Sequence, residues 1–270
     1  MSVGFGILSW RGHASLSSAL ETYHEAGLFD LFDKSLLFLP EMDETGIDIA
    51  RRFDLPHAGT PNNLGILGGF KALAQTLQTE ILVLAENDYM LIESREEAKR
   101  QLAVAQRHIE AGSAHVWRLR HRWKPGQTWE THKAEKYWPK PDSPAPVQRA
   151  ARWRRLARPN KARRLIGWNV FLDEAADRRF PDLIRRTGEG DLLVSSRSLP
   201  WANNIFMVRR DFFLNTVIPA AEARIDRRLV NGFPTIEIEL NHRGWWQRQD
   251  FWIGVGKGLF THERQGDRGY

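Results

Sequence analysis

The stretch that most constrains this chain is Ile81-Leu82-Val83-Leu84-Ala85-Glu86-Asn87-Asp88, an apolar, β-prone run that stops on two carboxylates flanking an amide. A continuously apolar run of this length, bounded by polar residues, reads as a strand covered on both faces, because a half-solvated strand would alternate. Strands of that kind belong to mostly parallel sheets, where ligands sit just outside the carboxyl ends. Glu86 and Asp88 are two residues apart, so an extended backbone points them the same way. One divalent cation could then be held between them and a substrate phosphate. An ordinary acidic loop after a core strand is the simpler alternative.

The preceding residues alternate in the way such a sheet requires. Val3 to Trp10 reads as a first strand, and Ser15 to Gly27 as a helix with Leu16, Leu20 and Tyr23 on one face and a glycine where it stops. Ser35 to Leu39 reads as a second strand closed by Pro40-Glu41, and a second helix follows from about Gly46 to Phe53. Strand, helix, strand, helix implies parallel pairing with right-handed crossovers. Asn63-Leu64-Gly65, with Gly68 and Gly69, then opens a helical run to Leu77. Glycines at a helix start let the backbone approach a ligand, and the unpaired N–H groups there attract phosphate. Their spacing is neither a Walker loop nor a dinucleotide fingerprint, and they could equally serve to lay the helix close against the sheet. Downstream, Arg95 to Ala111 and Asp173 to Arg186 read as helices, Ala114 to Leu119 as a strand and Asp191 to Ser196 as a short strand or loop.

Charge is distributed unevenly. Residues 118–164 hold 15 Lys/Arg against 3 Asp/Glu, a local charge of +12, so the rest of the chain carries −6 of the total +6. An acidic body with a basic segment suggests contact with something anionic. Prolines break Trp123 to Val147 into loop, whereas Gln148 to Ala157 reads as a helix that sets Trp153 and Leu156 among arginines. Three readings fit: an interfacial helix on an anionic membrane surface, a nucleic-acid groove, or a solvated lid over a bound pyrophosphate. With no cysteine there is no disulfide framework and no thiolate metal site or nucleophile. Without a leader or an apolar span, the expectation is a soluble, cytoplasmic protein, peripheral at the inner face of a membrane if the basic segment docks there.

Taken in order, Ser9-Trp10-Arg11, the acidic turn at Glu41, Asn63-Leu64-Gly65 with Gly69, and Glu86-Asn87-Asp88 resemble the amino-terminal half of a GT-A fold nucleotide-sugar glycosyltransferase of the family 2 type. The ordered set carries the resemblance, since no single motif is specific. It departs from the family pattern in two places: the paired aspartates after the second strand appear as Pro40-Glu41, and the D-x-D as Glu86-Asn87-Asp88. The resemblance implies an α/β, Rossmann-like, mostly parallel sheet flanked by helices. It implies a single domain over 1–270, divided into a nucleotide-binding half (1–117), a basic insertion (118–164) and an acceptor-binding half (165–270).

By the same resemblance, Ser9, Trp10, Arg11, Glu41, Asn63, Gly65, Gly69, Glu86 and Asn87 are donor-binding candidates, and Trp201, Asn203 and Asn204 acceptor-binding ones. Trp10 would stack on the nucleobase, unless it only anchors the strand end. Asp88, with Glu86 and His262, would hold Mn²⁺ or Mg²⁺, although His262 also reads as a lone surface histidine. Glu237 falls at the position of the family's general base, though acids there also favour a helix amino terminus. The implied activity is metal-dependent, inverting transfer of a sugar from a nucleotide-diphosphate donor to a hydroxyl of a carbohydrate or glycolipid acceptor, as in cell-surface polysaccharide, lipopolysaccharide or glycolipid synthesis. The competing expectations are a nucleotidyltransferase acting on a sugar phosphate and a non-catalytic nucleic-acid-binding protein. The acidic remainder argues against nucleic acid as the main ligand.

Overall fold

A computed structural model of the chain describes residues 1–127, 129–223 and 228–263. The first part runs β1 (Val3–Leu8), α1 (His13–Glu25), β2 (Lys34–Pro40), α2 (Glu44–Arg52), β3 (His57–Thr60), α3 (Gly65–Leu77), β4 (Ile81–Glu86), β5 (Tyr89–Leu91), α4 (Arg95–Glu110) and β6 (Val116–Arg120). The basic segment carries α5 (Trp129–Tyr137), α6 (Ala145–Ala157) and α7 (Pro159–Arg164). Strands β7 (Ile184–Arg186), β8 (Leu192–Ser195), β9 (Phe206–Arg209) and β10 (Trp252–His262) follow.

Side chains of β4 alternate between two cores: Leu82 and Leu84 enter one, Ile81, Val83 and Ala85 the other. The strand has no polar face because helices cover both sides of the sheet. α3 contributes Leu67, Phe70, Leu73 and Leu77 to the first core, and α1 contributes Leu16, Ala19, Leu20 and Tyr23 to the second. α3 lies tight on β1 because glycines clear the way. A Cβ on Gly6 would sit 2.9 Å from Leu73, and one on Gly69 2.7 Å from Leu8.

The sheet order is β3-β2-β1-β4-β9-β6-β10-β8-β7. The first four strands are parallel, with Leu8 opposite Glu86. β9 is antiparallel to both β4 and β6, and β10 is parallel to β6. β5 adds antiparallel to the end of β10, setting Tyr89 opposite His262. One mixed, mostly parallel sheet therefore draws strands from both sides of the basic segment, and its carboxyl rim carries the ends of β1, β2, β4 and β6.

Several expectations require correction. The helix expected over Asp173–Arg186 is instead a single turn, Ala176–Arg179, followed by β7. Pro181 disfavours helix at Phe180, and Ile184–Arg186 pairs with β8. Within the stretch expected to be loop, α5 forms between Pro125 and Pro139, where no proline interrupts it. α6 starts at Ala145, three residues before the expected Gln148, since a proline in the first helical turn costs no hydrogen bond. β3 and β5 are further strands that local pattern did not indicate. Among the described residues no helix is long and apolar enough to cross a membrane.

Candidate active site

A cavity of about 390 Å³ opens at the carboxyl rim, between the ends of β1 and β4, the start of α3 and the short helix Ile236–Asn241. Trp10, Gly12, Glu86, Asn87 and Asp88 line it from the strand ends, and Asn63 and Gly65 from α3. Asn203, Asn204, Thr235 and Glu237 face them, with Tyr89, Arg120 and His262 between.

The strand ends at Glu86 and the chain turns through Asn87-Asp88. Asn87 Nδ2 donates to the Gly12 carbonyl at 2.9 Å, which ties this turn to the end of β1. A Cβ on Gly12 would lie 1.9 Å from that amide, so any larger residue there would displace the Asn87 side chain and its bond. Asp88 is only 5% exposed, and its Oδ2 lies 2.9 Å from His262 Nε2. The imidazole stacks on Tyr89, with ring centroids 4.8 Å apart and planes 13° from parallel. The Tyr89 hydroxyl donates to Asn204 Oδ1 at 2.7 Å, and the Tyr89 carbonyl accepts from the Tyr23 hydroxyl. Burial holds the Tyr89 phenol well above its usual range; Arg120 opposes this, while Glu86, Asp88 and Glu237 reinforce it. Three carboxylates from two distant parts of the chain thus act on one phenol.

At the start of α3, Asn63 Oδ1 accepts from Gly65 N–H at 2.8 Å, and Gly65 adopts φ +63°, with Phe233 packed where a side chain would go. Across the cavity, Thr235 caps the short helix by accepting from Ile238 N–H at 3.1 Å. Glu237 reaches the cavity half-buried, whereas Glu239 is fully buried; residues two apart on a helix face roughly opposite ways.

Trp10 lines the cavity with its indole N–H donated to Glu41 Oε2 at 2.7 Å. Arg11 pairs with the other oxygen of Glu41 at 2.9 Å and lies 5.4 Å from the Trp10 ring centre. Arg11 and Glu41 both hold positive φ, 51° and 56°, a backbone cost on the order of 1 kcal/mol each for residues with side chains. Left-handed residues at two adjacent strand ends are typical of functional rims.

The cavity therefore gathers Trp10, Asn63, Gly65, Glu86, Asn87, Asp88, Asn203, Asn204, Glu237 and His262. Five other candidates do not line it. Ser9 is buried, with its N–H donated to the Phe38 carbonyl at 3.0 Å. Gly69 packs on Leu8, and Trp201 is a core residue, 2% exposed, between Phe206 and Trp246. Its indole N–H donates to Asn203 Oδ1 at 2.9 Å, so Trp201 orients an amide that does line the cavity. Arg11 and Glu41 stand at the rim beyond the lining. Tyr89 and Arg120 also line the cavity, and neither is among the candidates named from sequence. Arg120 closes a strand parallel to β4, and a charge at that position was the available signal. Its guanidinium donates to the carbonyls of Pro125, at 2.7 Å, and Gln127.

Among the described residues no group of three or more His, Asp or Glu side chains is placed so that it could hold one metal ion. Glu86, Asp88 and His262 nevertheless line one cavity, and its two carboxylates are donors suited to Mn²⁺ or Mg²⁺.

No protein-family model matches the sequence, and no curated protein matches it. Solved structures do. S. aureus TarS 1–349 in complex with UDP-GlcNAc superposes with a TM-score of 0.52 at 8% identity, covering 100% of this chain and 60% of that one. Glucosyl-3-phosphoglycerate synthase from Mycobacterium tuberculosis, in complex with Mn²⁺, UDP and phosphoglyceric acid, gives 0.52 at 10% identity, covering 98% and 72%. The same enzyme with Mn²⁺, UDP and glucosyl-3-phosphoglycerate gives 0.51 at 10%. The chain spans about 60% of the length of the TarS fragment. At these identities the likeness concerns architecture, and it agrees with the strand order and rim described above: the chain has the GT-A fold of nucleotide-sugar glycosyltransferases.

Proposed function

We propose that this chain transfers a sugar from a nucleotide-diphosphate sugar to an acceptor hydroxyl, with inversion at the anomeric centre. The observation that carries the reading is the convergence, in one rim cavity, of Glu86, Asp88 and His262 with the amino terminus of α3 on one side and Glu237 on the other. A helix amino terminus facing the cavity, with Gly65 N–H held by Asn63 Oδ1, suits the donor's phosphates. Trp10 offers an aromatic wall to the nucleobase, and Asn203 and Asn204 offer the paired donors and acceptors that sugar hydroxyls need.

Glu86, Asp88 and His262 would hold Mn²⁺ or Mg²⁺, whose contribution is to offset charge on the departing diphosphate. The Mycobacterium tuberculosis neighbour was solved with Mn²⁺. The Tyr89 stack and the Asn204 bond keep His262 turned toward Asp88. Glu237, half-buried on the opposite wall, takes the proton of the attacking hydroxyl as general base. On this reading residues 1–117 hold the donor and 165–270 the acceptor, and the 118–164 segment lends Arg120 and Gln127 to the cavity.

The test is product analysis of the full chain incubated with a panel of nucleotide sugars, hydroxyl acceptors and Mn²⁺. Release of nucleoside diphosphate together with a glycosylated acceptor supports the proposal. Release of inorganic pyrophosphate would replace it with nucleotidyl transfer.

A further inference from the structure

Helix α6 is an anomaly of packing. It is 13 residues long, it packs chiefly on α5 and α7, and it buries a single residue, Ala151. Isolated helices of this length are marginal in water, and those in proteins are held mainly by a buried apolar face. Here the apolar residues point the other way. Trp153 is 68% exposed and Leu156 65%, with Pro146 and Ala157 also exposed on the side opposite Ala151. They are the most exposed large apolar side chains among the described residues.

The polar residues on this surface share one sign. From Ser143 to Arg164 there are eight Lys/Arg and no Asp or Glu. Arg154 and Arg155 reach inward to the carbonyls of Lys136 and Tyr137, and Arg155 also stacks 4.7 Å from the Trp138 ring. Those two arginines fasten α6 to α5. Arg149 and Arg152 flank Trp153 and Leu156 on the exposed side. The element is thus held from within by arginine–carbonyl bonds and presents outward a tryptophan, a leucine and uncompensated cations.

We infer that the exposed face of α6 docks on an anionic lipid bilayer, with Trp153 and Leu156 entering the headgroup boundary and Arg149 and Arg152 meeting lipid phosphates. The chemistry follows from the face: an amphipathic helix with aromatic and aliphatic residues between arginines partitions to the interface by apolar burial plus attraction to anionic lipid. Nucleic acid fits less well. A base-stacking surface needs several aromatic rings, and this face has one ring beside a leucine and a proline, none of which but the ring offers a π-face to a base. The inference stands apart from glycosyl transfer, since docking needs neither donor nor turnover.

The experiment is co-sedimentation of the full chain with phosphatidylcholine vesicles, with and without phosphatidylglycerol, at low and high salt. Binding is expected only with the anionic lipid and weakens as salt screens it. Arg149→Gln with Arg152→Gln should weaken it about thirtyfold, as expected for two lost cations near the surface. Trp153→Ser with Leu156→Ser should weaken it at least about tenfold through lost apolar burial. All four positions are exposed, and unchanged thermal melting of the variants shows that the fold is intact. Three results would overturn the inference: no binding to anionic vesicles at low salt, binding indifferent to Trp153 and Leu156, or capture of a single-stranded oligonucleotide in place of vesicles.

Discussion

The rim and the basic arm solve opposite problems in one chain. At the rim, polar groups are buried and held by other polar groups: Asp88 against His262, Tyr89 against Asn204, Asn87 against the Gly12 carbonyl. In α6 the apolar groups are exposed, and the helix is fastened through arginines to the carbonyls of its neighbour. The rim rests on two cores filled by alternate residues of β4, so any substitution there is felt as volume and as charge. The outer face of the arm rests on nothing. That contrast teaches where specificity can lie: a preorganised cavity on the sheet, and an adaptable surface apart from it.

The largest expected effect separates the two regions by activity. Glu237→Gln should lower transfer by roughly two to four orders of magnitude, the usual contribution of a general base, while donor binding measured by calorimetry stays near wild type. Trp153→Ser should leave transfer to a soluble acceptor unchanged. Retained turnover in the glutamine variant would remove Glu237 from the chemistry.

Stability separates them next. Leu84 is fully buried, so Leu84→Ala should cost about 2–5 kcal/mol in denaturant unfolding, the range for a leucine removed from a packed core. Leu156→Ala, at a position 65% exposed, should change stability by less than about 0.5 kcal/mol. Equal losses would mean that the arm is as integral as the sheet.

The joint between the regions supplies a smaller, pH-dependent effect. His121 Nδ1 accepts from the N–H groups of Trp123 and Lys124, at 3.1 and 2.9 Å, where the chain leaves β6 for the arm. Its Nε2 lies 3.2 Å from Glu93 Oε1. Burial, opposed by Glu93, holds this imidazole below its ordinary value. His115, lowered chiefly by burial against an opposing Asp250, shifts the same way. When folded, both keep the neutral form to lower pH than when unfolded, so the unfolded chain binds more protons over that window. Their contribution is complete above the ordinary imidazole range and is lost as pH falls through the depressed values. The melting temperature should therefore drop between about pH 7 and pH 5, and His121→Asn should flatten that drop. An unaltered slope in the variant would mean that this turn does not sense protons.

Much of the β1–β4 side of the rim is legible in the sequence because its signals are local. A run such as Ile81–Ala85 announces a two-faced strand, and the acids that end it announce the rim. What escaped depends on pairing across the chain. β5 is three residues long and has no local signal; the resemblance already sets His262 with Asp88, and the antiparallel register of β5 with β10 is what seats them together. Trp201 is an acceptor-binding candidate by resemblance, but tryptophan is both apolar and polar and composition cannot say which end wins; packing against Phe206 and Trp246 puts it in the core. Glu41, a donor-binding candidate, bonds Trp10 and Arg11, which stand 31 and 30 positions away, a pairing that local pattern does not show.

The account rests on the rim cavity taking a nucleotide diphosphate by way of Asp88. Calorimetric titration of nucleotide sugars into the full chain with Mn²⁺ tests this most directly. Saturable binding to the wild type that falls sharply in Asp88→Asn is the predicted result. Absence of binding by any nucleotide sugar in the presence of Mn²⁺, or equal binding by the asparagine variant, would contradict it.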